Sequence, residues 1–231
     1  MSNCKIKAPF FEIGPKSYLY CDDILELALD ADAASQKYDV DVIFTCPVVD
    51  IRRVAEATKR LHVFAPHMDP IYPGRGLADT LPESLVAAGA EGVMLNHVEK
   101  PLSFEVLAET IKRADEVGLT TIVCADSMAD ASRIAGLHPD IIVAEPSELI
   151  GTGVSVGPEY VSAATDSVKN VDANILVLTA AGIAGGEDVY NTIMAGADAT
   201  GSSSGVAKAA DRPAMVDEMI SACRRAWDAR H

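Results

Sequence analysis

Residues 121–145, TIVCADSMADASRIAGLHPDIIVAE, carry the reading that decides the fold. They open on the β-branched run Thr121-Ile122-Val123-Cys124 and pass through residues 128–136, which have a helical period. They return to Ile141-Ile142-Val143 behind the turn residues Pro139-Asp140. A strand, a helix and a second strand in so short a span make a parallel βαβ unit. Glu145 is left at the carboxyl end of the second strand, where α/β folds keep their chemistry.

The alternation continues in both directions. Upstream, Phe10-Phe11-Glu12-Ile13 precedes a helical segment over 22–37, and Val42-Ile43-Phe44 precedes one over 49–60. His62-Val63-Phe64-Ala65 precedes 81–88, and Gly92-Val93-Met94-Leu95 precedes 103–117, where Ser103 and Glu105 supply an N-cap and an acidic first turn. Downstream, Ile175-Leu176-Val177-Leu178 precedes 187–195, residues 197–200 form a weaker eighth strand, and a last helix spans 212–230. Eight βα units predict an α/β fold closed into a single (β/α)8 barrel rather than an open doubly wound sheet. No Pro- or Ser-rich linker divides the chain, so residues 1–231 read as one domain.

Composition agrees with that fold and narrows the partners. The chain is 49% hydrophobic but only 5% aromatic, a balance suited to parallel strands under alanine-rich helices. A formal charge of -15 argues against nucleic acid or an anionic membrane surface. A small anion would have to be held locally, by glycine-loop amides, helix N-termini or a few lysines. Cys4, Cys21, Cys46, Cys124 and Cys223 are scattered singly and read as reduced thiols, with Cys46 and Cys124 as buried spectators near strand ends. The N-terminus lacks the features of a secretory signal and no apolar run is long enough to span a bilayer, so a cytoplasmic location is expected.

In such a barrel the strand-end loops hold the chemistry. Lys16 follows the first strand, His97 and Glu99 the fourth and Glu145 the sixth. Gly182 follows the seventh and Ser202-Ser203-Ser204 the eighth. A glutamate can take a proton from a carbon beside a carbonyl, a histidine can polarise the oxygen, and a lysine adds fixed positive charge for a dianion and a developing enolate. Gly151 and Gly153, in the turn after Glu145, allow close approach of backbone amides to a phosphate. These demands combine as an aldose–ketose isomerisation of a small phosphorylated sugar. The five histidines show no ligand spacing, so no metal and no cofactor is expected. His67 and Asp69 read as loop-organising or interface residues.

These residues resemble the triosephosphate isomerase family, in particular its compact archaeal-type branch. The likeness runs through Lys16-Ser17-Tyr18, Leu95-Asn96-His97 with Glu99, Glu145-Pro146 with Glu148 to Gly153, Ala181-Gly182-Ile183, and Ser204-Gly205-Val206 with Lys208-Ala209. It implies a TIM barrel with Glu145 as the base, His97 as a neutral electrophile, Lys16 as an electrostatic clamp and Glu99 as supporting acid. It also implies that Gly151, Gly182, Ser203 and Ser204 hold the phosphate and that residues 146–153 close over the substrate, excluding water. A homodimer or homotetramer is implied as well, with Met68, Ile71 and Tyr72 available to a partner.

The chain departs from the family pattern at several positions. Gly14 stands for an asparagine, Val98 for a serine, Ser147 for the second proline of the sixth loop, and Leu77-Ala78-Asp79 for a Thr-Gly-His segment. The expected reaction is interconversion of dihydroxyacetone phosphate and glyceraldehyde 3-phosphate. The losses at Gly14 and Val98 motivate an alternative ketose phosphate such as a tetrulose (erythrulose) phosphate, and a non-catalytic sugar-phosphate-binding barrel is the reading from another class.

Overall fold

The computed structural model describes residues 4–150, 152, 155–180 and 182–231. Eight parallel strands close in sequence order: β1 (Phe10–Ile13), β2 (Asp41–Thr45), β3 (Leu61–Ala65), β4 (Gly92–Leu95), β5 (Thr120–Ala125), β6 (Ile141–Ala144), β7 (Leu176–Thr179) and β8 (Ala199–Ser202). Closure is direct, with Phe10 opposite Asp41 on one side and Ala199 on the other. Helices α1 (Asp22–Tyr38), α2 (Ile51–Ala57), α3 (Pro82–Ala88), α4 (Phe104–Val117), α5 (Met128–Ala135), α6 (Pro158–Lys169) and α7 (Gly186–Met194) each follow a strand. A short α8 (Ser204–Ala207) and a long α9 (Arg212–Arg230) complete the chain.

Alternation along each strand divides the apolar residues into two cores. Phe10, Ile43, Phe64, Ile122, Ile141, Val143 and Leu178 fill the barrel interior. Their neighbours Phe11, Ile13, Val42, Phe44, Val123 and Ile142 face outward and pack with helix residues such as Leu27, Ile111, Ile134, Val189 and Ile220. Gly92 marks the tightest point inside, because a Cβ there would lie 2.3 Å from the Phe64 ring. The Ser103 hydroxyl accepts from the Val106 N–H at the start of α4, and Gly118 ends the helix with a left-handed φ of 79°, as the capping residues predict.

Several boundaries differ from the sequence reading. The helix expected over 49–60 is split into a 3-10 turn at Val48–Asp50 and α2, which stops at Ala57 because Thr58 is extended. The eighth strand lies further on than 197–200, since its ladder with β1 runs from Ala199 to Ser202. Helix α6 had no counterpart in that reading. Pro158 opens it and Val161, Ala164 and Val168 form its buried face, a pattern that the sequence reading passed over. Met68 is fully buried in this chain's own core, so it is not available to a partner, whereas Tyr72 is exposed. Among the described residues no helix is long and apolar enough to cross a membrane.

Candidate active site

At the carboxyl end of the barrel a cavity of about 670 Å³ opens between the strand-end loops. Lys16, His97, Glu99 and Glu145 line it, as do Gly182, Ser203 and Ser204 from the last two βα loops. Gly151 and Gly153 lie outside the described residues. Ile150 and Thr152, their neighbours, reach the cavity wall.

Local backbone chemistry fixes each group. Lys16 adopts a left-handed φ of 50°, an uncommon conformation for a residue with a side chain, at the turn that Pro15 begins by accepting the Tyr18 N–H. Its Nζ lies 3.3 Å from Glu99 Oε1, so the two side chains form an ion pair across the mouth. Asn96, also left-handed at 58°, anchors the fourth loop: its amide donates to the Cys124 carbonyl and its oxygen accepts the Leu102 N–H. Glu145 follows β6 directly and its N–H donates to the Ala125 carbonyl, which holds the residue in line with the strand.

The hydrogen bonding of His97 settles its protonation. The Glu99 backbone N–H donates to Nδ1 at 3.1 Å, so Nδ1 is a lone-pair acceptor and the ring proton sits on Nε2. Burial, reinforced by the Lys16 charge, lowers the imidazole pKa below its ordinary value. The ring is therefore a neutral N–H donor at physiological pH.

The loops after β7 and β8 are tied together. Ser202 Oγ donates to the Ile183 carbonyl, and Gly205 packs so closely that a Cβ would lie 2.5 Å from Ser202 Oγ and 2.6 Å from Ile183 O. Ser203 and Ser204 stand at the first turn of α8, where backbone N–H groups lack intrahelical acceptors. His67 lines the cavity, but its Nε2 is engaged by Asp69 Oδ1 at 3.1 Å while Asp69 Oδ2 accepts the Thr80 N–H, a loop-organising arrangement.

One wall residue was absent from the sequence reading. Glu12, in the middle of β1, points inward and presents a carboxyl to the same cavity. The available signal was a carboxylate within an otherwise apolar strand. The thiol of Cys124 also lines the cavity, and burial drives its pKa far up, keeping it protonated. Among the described residues no group of three or more His, Cys, Asp and Glu is disposed to hold a metal ion.

Comparison with known proteins agrees with this geometry. The sequence model of the triosephosphate isomerase family matches residues 15–222. A triosephosphate isomerase of Saccharolobus solfataricus is 34% identical over 96% of this chain and 99% of its own length. That of Sulfolobus acidocaldarius is 33% identical over 97% and 99%, and that of Methanothermus fervidus 34% identical over 87% and 91%. The chain belongs to the triosephosphate isomerase family.

Proposed function

We propose that this protein interconverts dihydroxyacetone phosphate and glyceraldehyde 3-phosphate through an enediolate. The observation that carries the reading is the convergence of Glu145, a neutral His97 and Lys16 on one cavity. Glu145 takes the proton from the carbon beside the carbonyl, and the C–H electron pair moves to form the enediolate. The His97 Nε2–H donates to the carbonyl oxygen as charge develops there, then shuttles the proton between the adjacent oxygens. Protonated Glu145 returns its proton to the neighbouring carbon, so the reaction is balanced without an external acid or base.

Lys16, held beside Glu99, supplies positive charge for the dianion and the enediolate. The phosphate is bound by backbone N–H groups at Gly182, Ser203 and Ser204, together with Gly151. Retention of all three proton-handling and charge-bearing side chains in one mouth argues against a binding-only barrel. The test is a coupled assay of the purified protein in both directions with triose phosphates. Turnover well above the solution rate is expected, and inactivity on both substrates would overturn the reading.

The chain is read as a homodimer or homotetramer, which the exposure of the apolar side chains Val49, Tyr72 and Leu77 supports. Light scattering of the purified protein at micromolar concentration checks this, and a monomeric mass would refute it. A cytoplasmic setting fits the buried thiols of Cys46, Cys124 and Cys223.

A further inference from the structure

Glu12 is an expensive residue to keep where it is. Its side chain is almost wholly buried, 7% exposed, on a strand whose other residues are apolar. A buried carboxyl needs partners. Among the described residues, one hydroxyl provides them: Thr45 Oγ1 donates to Oε1 at 2.5 Å, and no cation forms an ion pair with it.

The surroundings have been cleared for this carboxyl. Glu12 pairs in register with Gly201 of β8, where a Cβ would lie 2.9 Å from the Glu12 Cβ and 3.0 Å from Oε2. Gly14, the next inward position of its own chain, would place a Cβ 3.0 Å from Oε1. A side chain at either glycine would push against the carboxyl, and Gly14 in particular leaves it uncovered toward the cavity that Lys16, His97 and Glu145 line. Thr45 thus holds one oxygen of a carboxyl that lines the cavity.

We propose that Glu12 is a substrate-contacting, specificity-determining residue: its carboxyl, on the cavity floor between Gly14 and Gly201, receives a hydroxyl of the sugar chain and selects hydroxylated phosphate esters over unhydroxylated ones. A phosphate is excluded as its partner, because two anions would repel each other there. A hydroxyl can donate to the carboxylate, or accept from the carboxylic acid, so the contact survives titration with altered strength. This inference rests on the cavity being a sugar-phosphate site.

Titration offers a second handle. Burial raises the Glu12 pKa to about 7, Glu145 across the barrel adds to the rise, and Thr45 and Lys16 oppose it. The charged or titratable groups that face it are Glu145 after β6, Lys16 after β1 and the protonated thiol of Cys124 on β5. A hydroxyl contact therefore changes strength around neutrality.

The experiment compares, by calorimetry on the full-length protein, glycerol 3-phosphate with propyl phosphate, which has the same chain length and monoester but no hydroxyl. Wild type is expected to prefer glycerol 3-phosphate by about tenfold, the worth of one hydrogen bond to a charged group. The E12L variant narrows that preference without weakening propyl phosphate. The near-isosteric E12Q, which protects the test if E12L fails to fold, retains part of the preference and loses its pH dependence between pH 6 and 8. Monoester titration is common to both ligands and cancels in the ratio. Equal preference in wild type and both variants, or parallel weakening of both ligands, overturns the proposal. Isomerase activity in a wild type without hydroxyl preference sinks the role of Glu12 alone, whereas hydroxyl preference without activity sinks the isomerase reading alone.

Discussion

Glu145 and Glu12 face one cavity from opposite sides of the barrel, and removing charge from each has a different consequence. In E145Q the proposed proton acceptor is lost while the loops after β7 and β8 are untouched. kcat should fall by roughly 10²- to 10⁴-fold, with the affinity for a phosphate monoester within a few-fold of wild type. Similar losses in both would mean that Glu145 organises the loop and does not move the proton. E12Q is expected to change stability, and the sign follows from its titration. The folded-state pKa lies near 7, above the ordinary 4.5, so the folded protein binds this proton more tightly than the unfolded chain does. Stability is lost as pH rises from 4.5 to about 7. E12Q should therefore melt higher than wild type at pH 8, with the gap closing toward pH 5. A gap that does not vary with pH would contradict the buried carboxyl. Lys16, His97 and Glu145 were legible because each follows a strand at the end where chemistry collects. Glu12 was not, because only the closed barrel shows that its side chain points inward between two glycines.

Elements whose ends carry a clear start or cap residue were read almost to the residue, and those without such signals were not. β4 and α9 have the expected limits, since a Gly opens one and Asp211 caps the other, accepting the Ala214 N–H. β8 was misplaced because ATGS carries no apolar alternation; its position is set by the ladder to β1. The same lack of signal hid the short helix α8 that begins within the serine run. Gly205 is the hinge of that arrangement, wedged against Ser202 Oγ and the Ile183 carbonyl. In G205A the added methyl must displace one of the two loops that frame the phosphate site. The predicted result is a rise in KM of about tenfold or more with a smaller change in kcat, because phosphate contacts serve ground state and transition state alike. A kcat loss at constant KM would place these loops in the chemical step.

Across the barrel, the cavity opens at one rim while the opposite rim carries a charge cluster. There His62 of β3 sits between Glu91, 3.0 Å from its Nδ1, and Asp41, 3.9 Å from its Nε2. Three neighbouring strands are joined in this way where the β3–β4 ladder is short, with only Phe64–Gly92 and Ala65–Val93 in register. The sequence shows a histidine on a strand and two distant carboxylates, and nothing in their spacing brings them together before the barrel closes. Burial alone would lower the imidazole pKa, but the two carboxylates outweigh it and raise it from 6.5 to about 9. The raised value means that the folded state holds the proton more tightly than the unfolded chain. The stabilisation is complete below pH 6.5 and is lost as pH rises through about 9. This window lies above that of Glu12, so the two can be separated by pH. Melting temperatures of wild type and H62N should differ most near pH 6 and converge by pH 9.5, with isomerase activity at pH 7 little changed because His62 is at the far end from the cavity. Curves that run parallel over this range would show that His62 stays neutral and that the two carboxylates hold the β2–β4 edge by other means.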